Sequence, residues 1–259
     1  MRFHGACLGW LWGAALVAAA ASARAQVNVE RLRADLQQRP YFANVLTSFT
    51  GRVGNVNSVV TGGGIFAGAL IDRHLGFFRA EGNYEAYSWV PKVSKSFAHA
   101  RYNYTLLPSI AGELFAQVQQ NKFERLRLRT LYGIGPRFTM FRSEEVDVYA
   151  GTGYMLEYEE IDVAPGATDA PTTWAHRSTN YVAVAVRIEE SLRLTSATYF
   201  QPRFDVPSDF RVLSETSISA SFGKRLFAKV SAILRYDSAP PSNVRSADAE
   251  VQNSFGANF

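Results

Sequence analysis

The sequence predicts an all-β fold: a closed antiparallel transmembrane β-barrel of about twelve strands with a short N-terminal helix. Three observations support this prediction. The chain opens with an export signal, about twelve later segments alternate apolar and polar residues, and short and longer connections alternate between those segments. The chain then divides into residues 1–25 as a signal peptide, 26–41 as a helical segment and 42–259 as the barrel.

Composition excludes two other classes of protein. The chain has 259 residues, and its 47% hydrophobic content is too high for a disordered protein. The mean hydropathy of -0.09 is too polar for a bundle of transmembrane helices. After residue 25, no stretch reaches the ~18 unbroken apolar residues that a spanning helix needs. A soluble globular protein remains the alternative to a barrel, because barrel strands are only half apolar.

The first 25 residues have the pattern of a secretory signal peptide. Arg2 supplies the positive charge, Cys7–Ala21 is an apolar run, and Ala23-Arg24-Ala25 is an A-x-A cleavage site. An uncleaved anchor helix is the alternative, but the apolar run is short for it. Cleavage removes two arginines, no acid and the only cysteine, which lowers the formal net charge from +4 to +2. With no basic stripe and no recognition motif, nucleic acid is not an expected partner.

The segment 26–41 carries the one clear helical pattern in the mature chain. Val29, Leu32 and Leu36 share a helical face, and Pro40 ends the pattern. The helix could cap one end of the fold or plug a lumen, and nothing in the sequence anchors it inside.

From Phe42 onward the apolar residues recur at every second position, which is typical of strands. The segments are long for a sandwich, whose strands average about 5–6 residues, and match the ~9–11 residues of a tilted transmembrane strand. Among the longer connections we predict Trp89–Ser94, Glu160–Ala175 and Asp237–Ala247. The predicted strands are residues 42–52, 58–70, 75–88, 95–106, 109–119, 125–140, 145–159, 176–189, 191–203, 210–222, 225–236 and 248–259.

The last predicted strand is amphipathic and its final residue is aromatic. Phe255 and Phe259 lie on its apolar face, opposite Gln252 and Ser254. A terminal strand of this kind resembles the assembly signal of bacterial outer-membrane barrels. It implies the barrel assembly machinery as a partner.

Three consecutive blocks resemble the YdiY-type family of salt-induced outer-membrane proteins. They are Ala100–Thr105, Glu113–Phe123 and Leu126–Pro136: an aromatic strand, a polar turn with a Phe, and an Arg-bearing strand that ends in Gly-x-Gly. The resemblance covers roughly residues 75 to 259 and implies an outer-membrane barrel without an established activity. Pro136 departs from the family pattern, and because proline cannot donate a ladder hydrogen bond we expect a β-bulge there.

The polar faces of the strands supply the candidate site. Arg125, Arg127 and Arg129 are expected to share one strand face that points into the lumen. The cluster could be a charged eyelet that selects small solutes or a structural network of salt bridges, and the near balance of charges favours the network. No histidine has metal-ligand spacing, so no cofactor is expected. The candidate lumen cluster comprises Arg79, Glu81, Glu85, Arg101, Glu113, Arg125, Arg127, Arg129, Glu157 and Glu159.

The function that these patterns favour is non-enzymatic. We expect a monomeric, porin-like barrel in a bacterial outer membrane, either structural or narrowly permeable to small solutes, with outer-membrane lipids around it. The alternative is an acyl hydrolase of the outer-membrane phospholipase type that uses Ser178 and His176, since a His-x-Ser pair follows the longest loop. Against it, Thr173 and Thr179 replace residues of that family's motif, and no partner Asn is evident.

Overall fold

The computed structural model describes residues 40–52, 58–87 and 90–259, and twelve antiparallel strands in it form one closed barrel. A single 3-10 turn, Lys122–Glu124, interrupts the sequence of strands. The strands are β1 (Tyr41–Arg52), β2 (Ser58–Ile71), β3 (His74–Tyr87), β4 (Val90–Leu107), β5 (Ile110–Asn121), β6 (Leu126–Arg142), β7 (Val146–Ile161), β8 (Thr172–Arg187), β9 (Leu192–Pro202), β10 (Phe210–Phe222), β11 (Leu226–Asp237) and β12 (Ala247–Asn258).

The first and last strands close the barrel. Thr47 of β1 lies opposite Phe255 of β12, and the Phe259 amide donates to the carbonyl oxygen of Ala43 at 2.8 Å. Every other strand pairs with its two neighbours in sequence. Closure leaves no sheet edge, so each strand has a ladder partner on both sides.

The twelve-strand antiparallel prediction is confirmed, but two boundaries differ from it. The loop predicted at Trp89–Ser94 was wrong, because β4 begins at Val90 and pairs from there with Tyr87. Pro91 and Lys92 are typical of a loop, yet a barrel strand can continue past its apolar band with polar residues. β8 likewise begins at Thr172 rather than at residue 176. The predicted signal peptide and residues 26–39 of the predicted helical segment lie outside the described residues, and Tyr41, at the end of that segment, belongs to β1.

The bulge expected at Pro136 was also wrong. The register between β6 and β7 is the same on both sides of it, with Ile134 opposite Tyr154 and Arg137 opposite Gly151. The register shifts instead between Thr139 and Phe141 and between Leu126 and Leu128. Because Pro136 has no amide N–H, β6 loses local ladder pairing there, but the strand keeps its register with β7.

The two ends of the barrel differ in their connections. We call one the short-turn end, where the connections are residues 72–73, 108–109, 143–145, 188–191 and 223–225. The other is the long-loop end, which includes the connections 162–171, 203–209 and 238–246. This arrangement follows the alternation that the sequence predicts, although only residues 88–89 join β3 to β4.

The outer face of the barrel is apolar. Tyr132 is 55% exposed and Ile134 is 60% exposed, although both lie within a strand. Large apolar side chains that stay exposed on neighbouring strands make a continuous apolar surface, which monomers in water rarely show. Other exposed members of this surface are Val45, Ile65, Leu114, Val182, Ile218, Val230, Leu234 and Val251.

The inner face contains both aromatic and charged side chains. One buried cluster near β1–β4 consists of Phe42, Phe66, Leu75, Phe77 and Phe97. A second cluster includes Tyr149, Tyr181, Tyr199 and Leu213 on β7–β10. Among the described residues, no helix is long and apolar enough to cross a membrane.

Candidate functional site: the charged lumen

A network of buried ion pairs crosses the lumen near the long-loop end. Arg211 on β10 lies 2.5 Å from a carboxylate oxygen of Glu157 and 3.1 Å from one of Glu159, both on β7. Since β8 and β9 separate these strands, the side chains meet across the interior rather than along the wall. The Arg211 Nε also donates to Asp237 on β11 at 2.8 Å.

Two further arginines complete this network, which we call the upper network. Arg129 Nε donates to Glu159 at 2.7 Å, and a second nitrogen of Arg129 pairs with the same carboxylate. Arg177 lies 3.3 Å from Glu157 and 3.0 Å from Asp209. The side chains of the three arginines are nearly inaccessible to solvent. A buried charge is tolerable only when paired, so these groups hold one another in place.

A second network occupies the middle of the lumen. Arg101 lies 3.1 Å from Glu113, and Asn103 donates to the same carboxylate at 2.9 Å. The Tyr181 hydroxyl on β8 also donates to Glu113 at 3.2 Å and accepts from Arg137 at 3.0 Å. Strands β4, β5, β6 and β8 are thereby joined through one carboxylate and one phenol.

A fully buried histidine borders this middle network. His99 is 0% exposed and stacks between the rings of Phe97 and Phe115, with centroids 6.2 and 5.9 Å away. Its Nδ1 lies 3.1 Å from Gln117 Oε1, and its Nε2 accepts from Arg101 Nε at 3.2 Å. Both ring nitrogens have hydrogen-bond partners. His99 therefore packs between the aromatic rings and orients the Arg101 guanidinium.

The structure places most of the predicted lumen residues inside the barrel. Arg79 lies 2.5 Å from Glu81, and both side chains are almost fully buried. Those of Arg101, Glu113, Arg129, Glu157 and Glu159 are buried as well. Glu85 belongs to a stretch whose side chains are not described.

Two of the predicted residues lie elsewhere. Arg127 is on the outside: its side chain is 59% exposed and pairs with Glu160 at 3.0 Å and Asp162 at 3.5 Å. The register shift between Leu126 and Leu128 moves Arg127 out of phase with Arg129, which the alternation could not predict. Arg125 precedes β6, with a left-handed φ of 60°.

Arg125 instead joins three loops at the long-loop end. Its Nη1 donates to the carbonyl oxygen of Ser242 at 2.8 Å, and a second nitrogen bonds the carbonyl oxygen of Asp162. Asp169 accepts from the Ser242 amide at 3.1 Å and from its hydroxyl at 2.9 Å. We call these four residues the loop latch. It holds loop 238–246 against the connections before β6 and after β7.

Beneath loop 238–246 lies a small cavity of about 50 Å³, lined by Glu124, Arg129 and Pro240 among others. Within the described residues, Glu124 Oε1 and Arg129 Nη1 have no hydrogen-bond partner. Burial raises the pKa of Glu124 to about 7, against the opposing effect of Arg129 and Lys95. Between about pH 4.5 and 7 the folded state keeps a proton that the unfolded chain releases, so the free energy of unfolding falls as the pH rises through this range.

The loop latch makes a testable prediction about the exposed Arg245 in loop 238–246. Arg125→Gly keeps the left-handed backbone and removes the side chain, so it should free the loop without straining the chain. We expect trypsin to cleave the folded barrel after Arg245 about tenfold faster, because local opening controls the rate. Mass spectrometry of the fragments measures that rate.

The matched control is Arg225→Ala, which removes an exposed arginine from the turn between β10 and β11 at the opposite end of the barrel. It should leave the cleavage rate after Arg245 unchanged. Equal rates in the two variants would show that Arg125 does not restrain the loop.

Sequence reasoning missed the aromatic share of the lumen. Tyr149, Tyr181 and Tyr199 all point inward, and Arg137 lies 3.9 Å above the Tyr149 ring. A signal was present: Tyr149 has the same strand parity as Asp147 and Glu157 and therefore shares their face.

Ser178 and His176 lie on the outer face without forming a catalytic pair. His176 Nδ1 bonds the Tyr154 hydroxyl at 2.6 Å, and Ser178 Oγ accepts from Asn180 Nδ2 at 2.9 Å. Among the described residues, no hydrogen bond joins Ser178 to His176. The same part of the chain has no group of three His, Cys, Asp or Glu residues that could hold a metal ion.

One protein family matches most of the chain. The model of a family described as "Protein of unknown function, DUF481" matches residues 70–259. The chain belongs to the DUF481 family. The DUF481 match begins at the end of β2 and includes β3 to β12. No curated protein has a matching sequence.

Several solved structures resemble the barrel of this DUF481 protein at low identity. A "Bacterial polysaccharide outer membrane secretin" is 8% identical with a TM-score of 0.47, over 85% of this chain and 97% of that one. The NanC porin is 5% identical with a TM-score of 0.46, over 84% and 97%. The translocator domain of the autotransporter NalP from Neisseria meningitidis is 9% identical with a TM-score of 0.43, over 89% and 93%.

Proposed function

We propose that this protein is a monomeric, non-enzymatic outer-membrane β-barrel whose lumen is closed at rest. It serves a structural role or opens only to a narrow path for small solutes, and it belongs with the YdiY-type proteins that its β4–β6 blocks resemble. The observation that carries the proposal is the pairing of Arg211 with Glu157 across the lumen.

The outer surface supports the membrane assignment. Its exposed apolar side chains are typical of lipid-facing positions, while the charged residues lie on the opposite face of the same strands. Strands of 12 residues, such as β5 and β11, extend about 40 Å at ~3.4 Å per residue. With a tilt of about 45° they cross a hydrocarbon core of about 30 Å.

The interior supports a closed lumen. The upper network joins β7 to β10, the Tyr181–Glu113 bond joins β5 to β8, and Lys95 on β4 lies 3.0 Å from Glu250 on β12. Solute passage requires these contacts to break. Each break would leave buried charges without their partners, which opposes opening of the lumen.

Planar-bilayer recording tests the closed lumen. We expect no conductance steps from the wild type at moderate voltage. The double variant Glu157→Ala/Arg211→Ala removes one charge of each sign from the upper network and one of the three contacts that cross the lumen, so steps should begin at a lower voltage than in the wild type. The control Arg127→Ala/Glu160→Ala removes a pair on the outside of the barrel and should behave like the wild type at every voltage.

Frequent large steps from the wild type would contradict the closed lumen. A heat-modifiability gel on membrane fractions tests the membrane assignment separately. The folded protein should sediment with membranes and migrate differently before and after boiling. Recovery in the soluble fraction would overturn the assignment.

A further inference from the structure

A cavity opens at the short-turn end of the barrel, on the side away from the loop latch. Its volume of about 400 Å³ falls within the range of pockets that hold small organic molecules. Strands β2 to β7 form its wall, between Leu70 and Tyr149. Such pockets combine a largely apolar lining with a few polar groups that orient the ligand.

The polar groups of this cavity converge on one tyrosine. The Arg137 guanidinium lies 3.9 Å from the centre of the Tyr149 ring. Arg142 donates from Nη2 to the Tyr149 hydroxyl at 3.2 Å, and its guanidinium lies 5.9 Å from the same ring. Tyr149 is itself buried, so it fixes the positions of two positive groups at the cavity wall.

The Arg142 guanidinium has an open side that can bind a ligand. Its side chain is 51% exposed, and its Nε lies 3.6 Å from Asp147. Within the described part of the chain, its Nη1 makes no hydrogen bond. A planar guanidinium held on one side and open on the other matches the geometry of a carboxylate.

The rest of the wall combines aliphatic side chains with the uncharged polar residues Asn103, Thr105 and Thr139. Leu107 is exposed at the rim, Ile110 is half-buried beside it, and Leu75 lies deeper and is buried. Asp72 is the one acidic residue among those that line the cavity, and it lies in the exposed turn between β2 and β3. The cavity therefore presents two cations at one side and aliphatic surface at the other.

We propose that this cavity binds an organic acid with an apolar body, which enters from the short-turn end. Arg142 and Arg137 hold its carboxylate, and Leu107 and Ile110 contact its apolar part. In an outer-membrane barrel with short periplasmic turns this ligand comes from the periplasm. The binding site goes beyond the proposed function and does not depend on whether the lumen conducts.

Isothermal titration of the folded full-length protein in detergent tests the site. The probes are 3-phenylpropionate and its uncharged analogue 3-phenylpropanol. We expect saturable binding of the acid. The alcohol should bind at least about tenfold more weakly, because only the acid makes charge-assisted hydrogen bonds.

Three variants locate the binding. Arg142→Gln should weaken the binding of 3-phenylpropionate by about tenfold or more. Leu107→Ser should weaken the binding of the acid and of the alcohol to a similar extent, since it removes apolar contact with both. Arg225→Gln changes the same charge in the turn between β10 and β11 and should have no effect.

Three results would overturn the proposal. The first is no binding of 3-phenylpropionate to the folded wild type, and the second is equal binding of the alcohol. The third is equal weakening by Arg142→Gln and Arg225→Gln, which would indicate general surface charge. A gel shift on heating confirms that each variant is folded before titration.

Discussion

Arg211→Met is expected to lower the free energy of unfolding by about 3–5 kcal/mol, because it leaves buried carboxylates without their shared cation. Arg211 contacts Glu157, Glu159 and Asp237 at once, and it is buried within the lumen. Methionine fills similar space but cannot compensate the charge. Urea titration in lipid vesicles, followed by the shift between folded and unfolded gel bands, measures the change.

Arg127→Met is the matched control, because it removes the same charge from an exposed position in β6. Exposed ion pairs are worth about 0–1 kcal/mol, so its effect on the free energy of unfolding should be small. Similar losses in the two variants would mean that the upper network adds no more than a surface pair does.

Gly135→Ala is expected to destabilise the barrel by about 3 kcal/mol or to prevent its closure, since the added methyl group overpacks the β6–β7 ladder. The new Cβ would lie 2.6 Å from the Cα of Gly153 and closer still to the carbonyl oxygen of Thr152. Both are backbone atoms, so no side-chain rotation relieves the contact. The yield of heat-modifiable band after refolding into vesicles measures the effect.

Gly112→Ala gives the comparison for this prediction. Gly112 lies on the neighbouring strand β5, opposite Pro136, and a Cβ there has no neighbour within 4 Å. Its yield should equal that of the wild type, because alanine fits an open strand position at least as well as glycine. If both variants lose folded protein alike, the close approach of β6 and β7 is not the cause.

The sequence predicts the barrel well because strand periodicity is a local property. Each strand alternates by itself, so Tyr132 and Ile134 can be assigned to the outer face without knowledge of any neighbour. The prediction fails where one strand gains a residue relative to the next. The shift between Leu126 and Leu128 turned Arg127 outward, and a register shift depends on the partner strand.

The partners inside the lumen could not be predicted for a different reason. The alternation places Glu113 and Tyr181 on the inner face, but only the curvature of the closed wall brings these two residues within 3.2 Å. The loop latch is a similar case, since Arg125 and Ser242 are 117 residues apart in sequence. Contacts of this kind follow from the closed shape and leave no local pattern.

The seam between β1 and β12 has a consequence for how the protein is made. Gln252 donates to Ser48 at 3.5 Å across 204 residues of chain, so the wall stays incomplete until almost the whole polypeptide has been delivered. Such distant pairings are slow to form. Until then the apolar outer faces and unpaired edges of the strands stay exposed, and chains in that state are prone to aggregation.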